Sequence, residues 1–102
     1  MQNPMLENLN KLRHIKAMLN SNLDNLDPEK AIIKNQLIQD LKTITSAIQS
    51  ILRGEPYLPA KMRLEKNIPS AMSNIKNLKL ETKELLDLQE VLNDIKSRYD
   101  SI

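Results

Sequence analysis

The sequence has no cysteine, no phenylalanine and no tryptophan, and only one glycine, one histidine and two tyrosines. Without cysteine there is no disulfide framework, no thiolate metal site and no cysteine nucleophile, and the composition suits a reducing compartment. One glycine, Gly54, excludes a glycine-rich phosphate loop. Together with a single valine, Val91, it argues against a β-rich chain, which draws on turn glycines and on β-branched and aromatic residues. His14 has no second histidine or cysteine with which to share a metal, and the carboxylates show no ligand spacing. Beside Arg13 and close to Lys16, it reads as a surface residue of a helix. The N-terminal MQNPMLENLNK is polar, unlike a secretory signal, and no apolar run approaches a membrane span. The expected location is the cytoplasm.

What is present is leucine, isoleucine, methionine and alanine at helical spacing. At 102 residues the chain is expected to form one domain. Its most regular stripe is Leu85, Leu88, Leu92, Ile95, Tyr99 and Ile102, which the three-and-four spacing puts on one helix face. Such a stripe needs a partner surface, because an isolated helix of this length is marginal in water. Three more stripes supply it. Met5, Leu9, Leu12, Ile15, Leu19 and Leu23 make the first, widened by Leu6 and Met18. Ile33, Leu37, Leu41, Ile44, Ile48 and Ile51 make the second. Met62, Leu64, Ile68, Ala71, Met72 and Ile75 make the third. Asn3-Pro4 and Asp27-Pro28 are start signals, a polar cap followed by proline at the first helical position. Arg53-Gly54 is a stop signal. GEPYLP divides the chain into two helical pairs.

The spacing predicts helices over about 4–22, 28–53, 59–77 and 81–98, packed as an all-α, antiparallel, up-down four-helix bundle. Pro69 falls inside the third and predicts a kink there, or a break with Asn67 capping a restarted helix. Leu41, Ile44, Ile48, Leu88, Leu92 and Ile95 are the expected core. The methionines read as gap-filling core rather than as an adaptable groove.

The formal charge of +2 is too small to argue for nucleic acid. Glu81, Glu84, Asp87, Glu90 and Asp94 fall opposite the leucine stripe of the fourth helix. They read as a solvated face rather than acid–base machinery, with Asp94 and Arg98 weakly paired on it. From Glu55 to Leu80 five basic residues stand against two acidic, a local +3; from Glu81 to Asp100 three stand against six, a local −3. One reading is that helices three and four attract each other along their rims. The other is a basic edge that faces phospholipid head groups, an acidic partner or nucleic acid. Nucleic acid ranks last, with no aromatic platform and no helix-turn-helix signature.

The stretch from Leu58 to Tyr99 resembles the enterocin A immunity family, the immunity proteins for pediocin-like (class IIa) bacteriocins. The resembling pieces are Leu58-Pro59 at the entry to helix three, Arg63-Leu64 one turn in, and a short turn. Leu80, alternating charge and leucine, and Arg98-Tyr99 near the C-terminus follow. The resemblance implies a left-turning antiparallel four-helix bundle in the cytoplasm of a Gram-positive bacterium. It implies protection from a bacteriocin by action at the mannose phosphotransferase permease, with bacteriocin bound, that serves as its receptor; transient peripheral contact with the inner face of the membrane is a separate expectation. In such proteins the C-terminal half decides which bacteriocin is countered.

The expected function is therefore binding without catalysis or cofactor. Lys61, Arg63, Lys66, Arg98, Tyr99 and Asp100 are the candidate partner-binding residues, since arginine and tyrosine combine contact area with directional polar groups. Charge reversal at Arg63 or Arg98 is expected to spare the fold. Tyr99, on the apolar stripe, reads equally as a cap on the core. The competing reading is a small helical adaptor or regulatory module that binds a partner helix or nucleic acid.

Overall fold

The helices begin and end where local chemistry satisfies their free backbone groups. In a computed structural model, which describes residues 3–100, they are α1 (Pro4–Asn22), α2 (Pro28–Leu52), α3 (Tyr57–Leu78) and α4 (Lys83–Asp100). Ile102, the last member of the α4 stripe, lies outside the described residues. The Asn3 side chain accepts from the Met5 N–H and that of Asp27 from the Lys30 N–H, each at 2.9 Å. Past α2, the Gly54 N–H bonds the Ile51 carbonyl and the Glu55 N–H the Ser50 carbonyl, the paired bonds of a Schellman motif. Gly54 has φ +79°, which its missing Cβ allows. Lys79 ends α3 with φ 54°, a left-handed position held by a residue that gains nothing from it.

Five boundaries differ from the sequence reading by one or two residues: α2 ends at Leu52 rather than Arg53, α3 at Leu78 rather than Asn77, α4 at Asp100 rather than Arg98, and the starts of α3 and α4 both shift. α3 starts at Tyr57 rather than Pro59, because Pro59 falls in the first turn, where its missing N–H would have had no partner. α4 starts at Lys83 rather than Glu81, because the Thr82 hydroxyl accepts from the Leu85 N–H at 3.3 Å and so caps the helix.

α1 packs on α2 and α4, and α3 packs on α2 and α4, which leaves α1 diagonal to α3 and α2 diagonal to α4. Connections over 23–27, 53–56 and 79–82 are too short for anything but antiparallel neighbours. At 1.5 Å per residue the longest helix spans about 38 Å, which accounts for the 41 Å long dimension of the molecule. All six expected core residues have no solvent exposure. The α2–α3 contact is the most extensive, and Ala47, Ala60 and Ala71 are fully buried there and in the adjoining core. Small side chains let two backbones approach closely.

The methionines correct the sequence reading. Met5 and Met72 are half-buried and pack against the core from its rim, Met18 is half-buried, and Met62 is 61% exposed and outside it. Position 62 falls opposite Ala60, Leu64 and Ala71 on α3, which is why it cannot turn inward. Leu6, expected to widen the α1 stripe, is also exposed.

α3 runs through Pro69 without interruption, and Asn67 does not cap a restarted helix. Its Nδ2 donates instead to the Arg63 carbonyl at 2.8 Å. Pro69 and Glu65 both face solvent, so the Glu65 carbonyl that Pro69 leaves without a donor is within reach of water.

Two substitutions test this packing. Leu92→Ala is expected to lower stability by about 2–5 kcal/mol in urea denaturation, as a fully buried leucine should. Pro69→Ala is expected to raise it by about 1–3 kcal/mol by restoring a helical N–H. A loss of stability would mean that the proline shapes α3 in a way the rest of the bundle requires.

Candidate functional site

The six predicted contact residues do not form one edge. Lys61 is half-buried with Nζ 3.8 Å from Glu65 Oε1, and Lys66 is exposed one turn along α3. Arg63 turns toward α2, where Nη1 donates to Ser46 Oγ at 3.3 Å and Nη2 to Ser50 Oγ at 3.2 Å. Arg98 lies on the α1 side of α4, donating Nε to Asp94 Oδ2 at 2.8 Å. The two arginines thus point to opposite sides of the α3–α4 pair, and both are held by side chains. Charge reversal at either would remove these largely exposed contacts. Tyr99 is 3% exposed and belongs to the core, the structural half of its sequence reading. Asp100 is exposed.

The two tyrosines meet at one end of the bundle. The Tyr57 hydroxyl donates to the Tyr99 carbonyl at 3.2 Å, tying the start of α3 to the end of α4. Burial pushes both phenols above their ordinary range. For Tyr57 the charges of Glu65 and then Asp100 add to the shift; for Tyr99 those of Asp100, Glu65 and Tyr57 do so. The phenols therefore stay protonated, and able to donate, through neutral pH.

A groove of about 550 Å³ separates α1 from α4. Ile15 and Val91 contribute its apolar lining; Glu7, Asp87 and Glu90 make its polar surface acidic, with Lys11 and the exposed His14 beside them. Asn8, 3% exposed, donates Nδ2 to Asp94 Oδ2 at 2.7 Å, the same oxygen that Arg98 reaches. The Asn8 hydrogen bond and then that of Arg98 hold the Asp94 carboxyl below its ordinary value against the opposing effect of burial, with the charges of Arg98 and Lys11 adding less. An acid held ionised this way is an acceptor and an anchor. It is poorly placed to donate a proton at neutral pH. Sequence reasoning missed Asn8, although the signal was present: it stands three residues after Met5 and four before Leu12, a polar residue on the apolar side of its helix.

A second carboxylate joins the other half of the bundle. Asp40 Oδ2 accepts from Ser70 Oγ at 2.8 Å and Asn74 Nδ2 at 2.9 Å, across the α2–α3 seam. Among the described residues no three histidine, cysteine or acidic side chains gather as metal ligands, and no helix is long and apolar enough to cross a membrane.

Leu58 and Met62, on the outer face of α3, are 66% and 61% exposed, and Leu86 on α4 is 56% exposed. Sequence reasoning gave Met62 to the core and Leu58 only a place at the entry to helix three. The signal lay in their register, a line of 58, 62 and 69 opposite the line of 60, 64, 71 and 78.

The fold defines the chain as an all-α four-helix bundle. Compared with family models, curated proteins and solved structures, it matches none of them.

Asp94 gives a pH test. Its folded pKa is lowered, so its stabilisation is present above the unfolded value, about 3.9, and is lost as pH falls through the folded value. Asp94→Asn is expected to be less stable than the parent at pH 7. The two urea midpoints should converge as pH falls into the acid range. A constant difference between them would show that the Asn8–Asp94–Arg98 contact does not depend on charge.

Proposed function

We propose that this chain is an immunity protein for a pediocin-like bacteriocin, acting by binding on the cytoplasmic side of the receptor permease, where it blocks the lesion. What supports this reading is the coincidence of the resembling pieces with a single helical hairpin. Leu58-Pro59 lies in the first turn of α3, Arg63-Leu64 follows one turn later, Leu80 lies in the connection, and Arg98-Tyr99 closes α4. The Tyr57–Tyr99 hydrogen bond joins the two ends of that hairpin. Contact falls to the exposed groups beside it, Lys66 and Asp100, with the partly exposed Lys61 and Arg98.

Expression in a sensitive strain tests the reading. A panel of pediocin-like bacteriocins should include at least one whose inhibitory concentration rises tenfold or more, while an unrelated pore-forming peptide is unaffected. Lys66→Glu, at an exposed position, should leave melting unchanged and remove most of that protection. A well-expressed chain that protects against no member of the panel would refute the immunity function. The adaptor reading has one observation of its own, the α1–α4 groove, and predicts instead that a partner helix slows amide exchange in α1 and α4.

A further inference from the structure

The outer face of α3 carries apolar side chains that the bundle does not use. Leu58, Met62, Pro69 and the half-buried Met72 fall on one line along the helix, opposite the buried Ala60, Leu64, Ala71 and Leu78. Lys66 and Lys76 are exposed beside this line, and the half-buried Lys61 borders it with its amine near the surface. Glu65 is the one acid there, and it lies 3.8 Å from Lys61. Residues 57–79 hold five basic side chains against one acidic, while α4 holds three against five. α3 lies diagonally across the bundle from α1, so its outer face is turned away from the acidic groove between α1 and α4.

The arrangement selects a kind of partner. A protein hot spot is usually a recessed, closely packed pocket from which water is excluded. Here the two large apolar side chains stand more than half exposed on a single helix, bordered by lysines. A helix lying in a bilayer interface has this pattern: apolar groups enter the acyl boundary, lysine amines reach phosphate, and their methylene stems cover apolar surface. The charge is complementary to an anionic leaflet, which attracts each nearby lysine.

We propose that the outer face of α3 is a docking surface for an anionic phospholipid bilayer, with Leu58 and Met62 inserted and Lys61, Lys66 and Lys76 on the phosphates. Docked this way, the chain lies along the membrane with the α1–α4 groove facing the aqueous phase. Lys61 and Lys66 are shared with the contact surface proposed for immunity, but lipid binding is measured without that function.

The test is co-sedimentation of the full chain with vesicles of phosphatidylcholine alone or mixed with phosphatidylglycerol, at low and physiological salt. The chain is expected to bind the anionic vesicles, weakly or not at all the neutral ones, and less as salt rises. Lys66→Gln and Lys76→Gln should each weaken binding about fivefold. Leu58→Ser with Met62→Ser should weaken it at least tenfold, with melting unchanged because both positions are exposed. Absence of binding to anionic vesicles overturns the proposal, as it would if the face served an acidic protein instead. Binding that survives both the lysine and the Leu58/Met62 substitutions overturns it too, since another surface would then be responsible. A chain that binds vesicles but gives no protection leaves this inference intact and removes the immunity function; the reverse result does the opposite.

Discussion

The structure depends on close packing of unbranched and branched aliphatic side chains along four seams. With no phenylalanine or tryptophan to fill space, the interior has to be closed by bringing helices together. Leucine and isoleucine interdigitate at native density only if their spacing is kept along the whole helix. Leu12, Leu37, Leu41, Ile44, Ile48, Leu64, Leu88, Leu92 and Ile95 keep it, and all are shut off from solvent. Alanine performs the complementary task where α2 meets α3. Everything else in the molecule, including which polar groups can meet, follows from that approach.

Polar contacts then fix the helices against sliding. A leucine seam alone tolerates shifts by a turn, because the next leucine fills a similar hole. Asp94 between Asn8 and Arg98 specifies how α1 stands against α4, and Asp40 between Ser70 and Asn74 does so for α2 and α3. Arg63, reaching Ser46 and Ser50, adds a second tie across the same seam. Lys34 Nζ donates to the Leu23 carbonyl at 2.8 Å, holding the end of α1 to the start of α2. Each such bond adds little on its own, about 0.5–1.5 kcal/mol for a neutral pair, yet misregister would leave buried partners unmet.

Much of this was legible in the sequence, since periodicity reports which face is buried. The caps at Asn3 and Asp27, the stop at Gly54 and the six core residues are all local or periodic signals. What periodicity does not report is which neighbour a rim residue meets. Arg63 and Arg98 were both expected to face a partner, but one leans toward Ser46 and Ser50 of α2 and the other pairs with Asp94 on the α1 side of α4. Methionine misled for another reason: its hydrophobicity suggested core, while the register of Met62 placed it outside. Pro69 showed the limit of a local rule, because a proline whose neighbouring carbonyl faces solvent interrupts one hydrogen bond without ending the helix.

The molecule that results is polarised. Positive charge gathers on α3 beside the exposed Leu58 and Met62, and acidic charge gathers along the groove between α4 and α1. Under the proposed function, a face docked on the bilayer would hold the chain beside the membrane receptor without making it part of that receptor. The central functional claim is association with the bacteriocin receptor, and co-isolation tests it most directly. The tagged full chain would be recovered from sensitive cells by mild detergent extraction, with and without bacteriocin, and the mannose phosphotransferase permease measured in each sample. The account predicts that the permease accompanies the chain when bacteriocin is present and much less when it is absent. Protected cells in which the chain is recovered free of the permease under both conditions would contradict it.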